Sequence, residues 1–252
     1  MMNLLRSEWI KLRTVTMHWV LAVIALAFPL VVTLLTAVFN GDSSEFSAND
    51  LISVLTGTTV VASLLCGSLA AASITGEFGF GTIRPTFAAT PKRLKVIAAK
   101  VIIIVSFTVE LAVVIQLIGW YVGGAIARGQ GATIDLADVP TGVPAMVGAI
   151  VLTALMTLAG FGLGLLTRST AVAVAVLIVW PLIAEGLVGQ LLVLATDNEQ
   201  VRNWMPFQAG IRLAFVDGFG DGPSRLTSGI YFGAVATALT AMGAWLVNRR
   251  DA

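Results

Sequence analysis

The chain has 252 residues, of which 57% are hydrophobic and only 12% charged, and its formal net charge at pH 7 is +1. Its mean hydropathy is +0.93. A soluble domain of this size cannot hide so much apolar surface, so the composition excludes a soluble enzyme or binding module and leaves an all-helical, polytopic membrane protein.

The first predicted element is a short helix over residues 1–14. Leu5, Trp9 and Leu12 share one helical face while Arg6, Lys11 and Arg13 lie elsewhere, the pattern of an interfacial helix on the inner leaflet. A frayed basic leader is the alternative. The apolar run that follows is too long for a cleaved secretory signal and has no Ala-x-Ala site behind it, so it reads as a retained span.

A bilayer core of about 30 Å needs roughly 20 helical residues. Six stretches meet that length: Trp19–Phe39, Leu51–Ile74, Val101–Ile126, Pro144–Thr167, Ala171–Ala195 and Thr227–Val247. None shows the ten-residue alternation of a barrel strand. Eleven of the 15 basic residues precede the first span, follow the last, or lie in the second and fourth loops. The positive-inside rule therefore predicts both termini in the cytoplasm. Cys66 is the only cysteine, which excludes an intramolecular disulfide and a Cys-based metal site.

The loop over residues 75–100 is the most informative soluble piece. Gly76, Gly79 and Gly81 permit a sharp exit from the second span. Thr82–Ala89 is expected to form a short surface helix, with Phe80, Ile83 and Phe87 as an apolar face at i, i+3 and i+7 and Arg84 projecting into the cytoplasm. Thr90-Pro91 predicts the start of the next helix, with Pro at its first position and Lys92, Arg93 and Lys95 at headgroup level. A basic loop that only obeys the positive-inside rule is the competing reading.

Two carboxylates fall inside spans, where ionised groups are costly. Glu110 lies nine residues into the third span, near the bilayer midplane, with Gln116 six residues on. Glu185 follows Trp180-Pro181 in the outer half of the fifth, where the proline predicts a kink. Both residues, with Pro181, are candidates for a transport path or outer gate; packing carboxyls hydrogen-bonded between helices are the alternative. His18, next to Trp19, reads as an interfacial anchor. Gly119-x-x-x-Gly123 and Gly160-x-x-x-Gly164 are close-packing patterns, within the chain or in a dimer contact. The long outer segment, 196–226, carries Trp204, Met205, Phe207, Ile211, Leu213 and Phe215 among polar residues. It predicts one or two short amphipathic helices that cap the bundle.

Several segments resemble the type-2 ATP-binding-cassette permease family, particularly its short actinobacterial members. They are Ser7-Glu-Trp-Ile-Lys-Leu-Arg13, Ile74-Thr-Gly-Glu-Phe-Gly-Phe-Gly-Thr-Ile-Arg84 with Ala88-Ala-Thr-Pro-Lys-Arg93, Gly160-Phe-Gly-Leu-Gly-Leu-Leu-Thr-Arg-Ser-Thr-Ala171 and Trp204-Met-Pro-Phe-Gln-Ala-Gly210. They occur in the family's order along the whole chain. The resemblance implies two six-span permeases, identical or homologous, each docked to one of two ATPase subunits that bind ATP and Mg. It places Glu77, Thr82, Arg84, Pro91 and Arg93 in a coupling helix that contacts the ATPase.

The chain has no Gly-x-x-x-x-Gly-Lys-Ser/Thr loop, so no nucleotide, cofactor or metal site of its own is expected. The expected function is an ATP-driven exporter in the cell membrane, with lipid and protein partners and no nucleic acid. A non-transporting sensor or anchor, or an intramembrane enzyme, is the rival. An enzyme needs converging catalytic groups, and only isolated carboxylates occur.

Overall fold

The computed structural model describes residues 2–42, 45–90, 92–216 and 222–250, and of Arg84, Ala89 and Arg250 the backbone only. All regular structure among the described residues is helical. Six helical spans are long and apolar enough to cross a membrane: α2 (Thr16–Asn40), α3 (Ala48–Gly79), α5 (Arg93–Gly129), α6 (Gly142–Thr167), the pair α7 (Thr170–Val179) and α8 (Glu185–Thr196), and α10 (Arg225–Arg250). Among the described residues the shorter α-helices are α1 (Met2–Thr14), α4 (Ile83–Ala89) and α9 (Pro206–Ile211).

Each expected span is present, with different ends. α5 has 37 residues and α3 has 32, about 55 Å and 48 Å at 1.5 Å per residue. Both are longer than the roughly 30 Å core of a bilayer. α5 begins at Arg93 with Lys92 as its N-cap. The expected first position, Pro91, lies outside the described residues. The start of α3 is fixed by a capping box in which Asp50 accepts the Ser47 backbone N–H at 2.9 Å.

The bundle is organised around α3 and α6, with 61% and 67% of their span residues buried; the other four are 22–33% buried. Small residues allow the two backbones to meet. A Cβ at Gly160 would land on the Gly67 carbonyl, and one at Gly164 would come within 3.0 Å of the Ala71 oxygen. The Gly160/Gly164 pattern is therefore spent on packing inside the chain. Gly119 is likewise filled by Leu55 of α3, and Gly123 faces Leu51.

At Pro181 the fifth span changes its helical form. Residues Trp180–Ala184 form a π-helical turn, closed by the Glu185 N–H on the Trp180 carbonyl. Proline lacks an N–H and its ring crowds the carbonyl four residues back; one wider turn absorbs both.

After α8 the chain forms a 3₁₀ turn over Glu199–Trp204 and then α9. Phe207, Leu213 and Ala214 are buried with Phe232 of α10 and Leu152 and Met156 of α6, so this segment closes one end of the bundle.

Candidate coupling site

The opposite end of the bundle gathers α1, the ends of α3, α6 and α10, the start of α5, and α4. α3 stops because the Phe80 N–H turns back on the Gly76 carbonyl, the Gly81 N–H donates to the Phe78 carbonyl, and Gly81 adopts φ +70°. That is a left-handed conformation a side chain disfavours. α4 follows for two turns. Pro85 occupies its first turn, where no intrahelical N–H is required.

The expected apolar face at Phe80, Ile83 and Phe87 is not one face. Ile83 and Phe87 are 5% and 8% exposed and join a core with Leu12, Ile74, Val96 and Ile97. Phe80 is 88% exposed. The left-handed turn at Gly81 separates it from the helix, so the i, i+3, i+7 count does not apply. The Arg93 guanidinium stacks over the Phe87 ring at 5.4 Å. Thr82 is exposed, with its hydroxyl 3.5 Å from the Glu77 carbonyl. The Arg84 side chain and all of Pro91 lie outside the described residues. Arg168, the left-handed C-cap of α6, stacks over Phe78 at 4.8 Å and so brings the fourth loop to the same place.

Beneath α4 lies an ionic cluster. Lys100 of α5 donates to Glu8 Oε2 of α1 at 2.6 Å and to Glu77 Oε1 of α3. Lys11 of α1 donates to Glu8 Oε1 at 2.9 Å and to Glu77 Oε1 at 3.2 Å. Two carboxylates and two ammoniums thus balance, and they tie three elements together. Burial works against the Lys11 ammonium, but its hydrogen bonds and the charges of Glu8 and Glu77 outweigh it and hold its pKa above the usual lysine value. Its stabilising share is complete below the ordinary lysine pKa and is lost as pH rises through the raised one.

Sequence reading missed this cluster. The i, i+3 spacing of Glu8 and Lys11 was visible, but Lys100 and Glu77 join them across 92 and 66 positions. Of the apolar face expected on α1, Leu12 is buried, Leu5 half-buried and Trp9 exposed. Glu8 and Leu12 are buried, with Leu4 packed beside them. Trp9 stays partly exposed against the edge of Phe107, at 6.3 Å between ring centroids. The helix has turned its carboxylate inward because Lys100 is there to meet it. His18 is likewise buried, with Nδ1 3.3 Å from the Leu12 carbonyl, and is not an exposed interfacial anchor. Trp19 holds the exposed position and donates to the Arg13 carbonyl at 2.9 Å.

The two intramembrane carboxylates have different surroundings. Glu110 is exposed on the outer face of α5. Gln116 is buried and donates to Thr59 at 2.9 Å. Glu185 is 0% exposed. Its Oε1 accepts the backbone N–H of Gln208 at 2.9 Å, in the first turn of α9. That N–H has no partner within its own helix, and Glu185 serves as a cap supplied from another element. Glu185→Ala is expected to cost about 1–3 kcal/mol, the usual range for an orphaned buried donor, while Glu185→Gln retains an acceptor and most of the stability. Thermal unfolding of the detergent-solubilised variants checks this; equal losses in both would remove the capping role.

Among the described residues no group of His, Cys, Asp and Glu is arranged to hold a metal ion. A comparison with curated proteins finds no significant match. A family model described as ABC-2 family transporter protein matches residues 4–183, from α1 into the π-helical turn, so that the ionic cluster, α4, the first four spans and the first half of the fifth fall within it. With a match over more than half of its length, the chain belongs to the ABC-2 family, the membrane components of ABC transporters.

Proposed function

We propose that the chain is the permease subunit of an ATP-driven exporter in the cell membrane. Both termini and α4 face the cytoplasm, and a separate ATPase carries ATP and Mg. Two permeases, identical or homologous, pair through exposed apolar faces, and two ATPase copies dock beneath them. The observation that carries this reading is Phe80. A phenyl ring 88% exposed, in the segment between two helices longer than the bilayer core, calls for a partner surface. The eleven basic residues on this side of the chain support its cytoplasmic placement.

In this reading Glu77, Thr82, Arg84, Pro91 and Arg93 belong to the coupling segment. Ile83 and Phe87 anchor α4 to the spans, so that motion imposed on Phe80 and α4 reaches α3 and α5 through the ionic cluster. Glu185 and Pro181 shape the outer gate by holding α9, and Glu110 is a polar element of the path.

The test is Phe80→Ala in cells that co-express the ATPase. Truncating an aromatic anchor costs about 2 kcal/mol, or roughly thirtyfold in affinity, so the ATPase should be lost on purification while the permease keeps its yield and thermal stability. The chain purified alone should hydrolyse no ATP. Normal ATPase retention and transport by Phe80→Ala would overturn the docking surface.

A further inference from the structure

Between α1, the end of α3 and the start of α5 lies a cavity of about 520 Å³, within the range of small-molecule sites. Its charged residues are gathered in one place, since Glu8, Lys11, Glu77 and Lys100 are bonded to one another. Much of the remaining wall is apolar, including Leu12, Ile103 and Ile104. Val15 and Met17 also line it, at the junction of α1 and the first span, and both are partly exposed. The exposed Trp19, one turn further along, marks the level of a membrane interface.

Donors and acceptors do not balance within the cluster. Lys11 and Lys100 both donate to Oε1 of Glu77. Oε2 of the same carboxylate is buried and has no donor among the described residues. A buried carboxylate oxygen without a donor costs free energy, which a donor brought by a ligand relieves. Lys11 has the complementary surplus. Two of its three N–H groups go to Glu8 and Glu77, and its side chain is 40% exposed. One site therefore combines a carboxylate with an unmet acceptor in its wall, a lysine with a spare donor and an apolar surface beside them.

We propose that this cavity binds a phospholipid with a primary-ammonium headgroup. The ammonium donates to Glu77, the phosphate meets Lys11, and an acyl chain lies along Leu12, Ile103 and Ile104. A soluble long-chain amine shares the ammonium and the alkyl chain but has no anion for Lys11, so the lipid is the better match. The site rests on the reading of this end as the bilayer surface and does not require the ATPase.

Gly76 supplies the test. It lines the cavity, and a Cβ built on it meets nothing within 4 Å, so Gly76→Leu fills the space without touching the ionic cluster. The purified full chain is titrated in detergent with phosphatidylethanolamine, phosphatidylcholine and dodecylamine, and bound ligand is read by native mass spectrometry. Phosphatidylethanolamine should bind at least about tenfold tighter than phosphatidylcholine, whose trimethylated nitrogen donates no hydrogen bond. It should also bind tighter than dodecylamine, and Gly76→Leu should lose this binding while keeping its elution volume and helix content. Equal binding of the two phospholipids would overturn the ammonium contact with Glu77. Dodecylamine binding at the expense of phosphatidylethanolamine would assign the site to a soluble amine and overturn the lipid. Undiminished binding by Gly76→Leu would place the lipid elsewhere. Because no arm contains the ATPase, failure here leaves the Phe80 docking test standing.

Discussion

Lys100→Met is expected to destabilise the protein by about 3–5 kcal/mol, the range for removing one partner of a buried ion pair. The methionine fills the space of the lysine stem but leaves Glu8, whose side chain is 6% exposed, and Glu77 with only Lys11 between them. The loss has two readouts. Thermal unfolding in detergent should shift down, and α1 should exchange its amide hydrogens faster, because Lys100 ties α1 to α5 through Glu8. If coupling runs through this cluster, ATP hydrolysis by the assembled complex should also become independent of substrate. The double variant Lys100→Met with Glu8→Gln should recover part of the stability, since the uncompensated charge is gone; the non-additivity measures the interaction itself. Wild-type stability in the single variant would show that the cluster is not a structural tie.

The second large effect is expected at Gly160. Gly160→Ala should reduce the yield of folded protein sharply, and Gly160→Leu should abolish it. The added carbon falls on the Gly67 backbone carbonyl, and backbone in the middle of α3 cannot swing away as a flexible side chain does. Overpacking in a well-filled core ordinarily costs about 1–3 kcal/mol, and more where the obstacle is rigid. The seam it would open joins α3 and α6, the two most buried spans. Gly76→Ala is the control. It is also a helical glycine of α3, but its surroundings are open, and removing a helix-interior glycine should gain about 0.5–1 kcal/mol. Size-exclusion profiles and melting curves of the three variants suffice. A monodisperse Gly160→Ala protein would mean that the α3–α6 contact is looser than the structure shows.

These two sites differ in how far they could be foreseen. The glycine spacing at 160 and 164 was legible as a close-packing pattern, but not its partner. Choosing between another helix of the chain and a second copy required knowing that Gly67 and Ala71 of α3 face it. The cluster at Lys100 was not legible at all. Pairing across 92 positions leaves no trace in local pattern.

Composition and apolar run length determined by themselves that the chain is a six-span helical membrane protein. Every backbone polar group in a lipid layer must be satisfied internally, and that requirement depends on sequence length and polarity alone. The order of motifs determined the family, and the glycines and prolines after α3 foretold a break followed by a short helix. Which face of each short helix is covered was decided only in three dimensions. Periodicity groups Leu5, Trp9 and Leu12 on one face of α1 and gives no sign that Glu8 is buried beside Leu12; a charge is buried where its counter-charge is already held. Phe80, Ile83 and Phe87 were counted as one stripe, yet the left-handed turn at Gly81 broke the count and left Phe80 alone in solvent. Glu185 read as a charge in need of a function, and the fold supplied the N–H of Gln208, twenty-three residues on, as its partner. Local pattern records what one residue does to its neighbours along the helix; burial and pairing depend on what other elements bring to the same place.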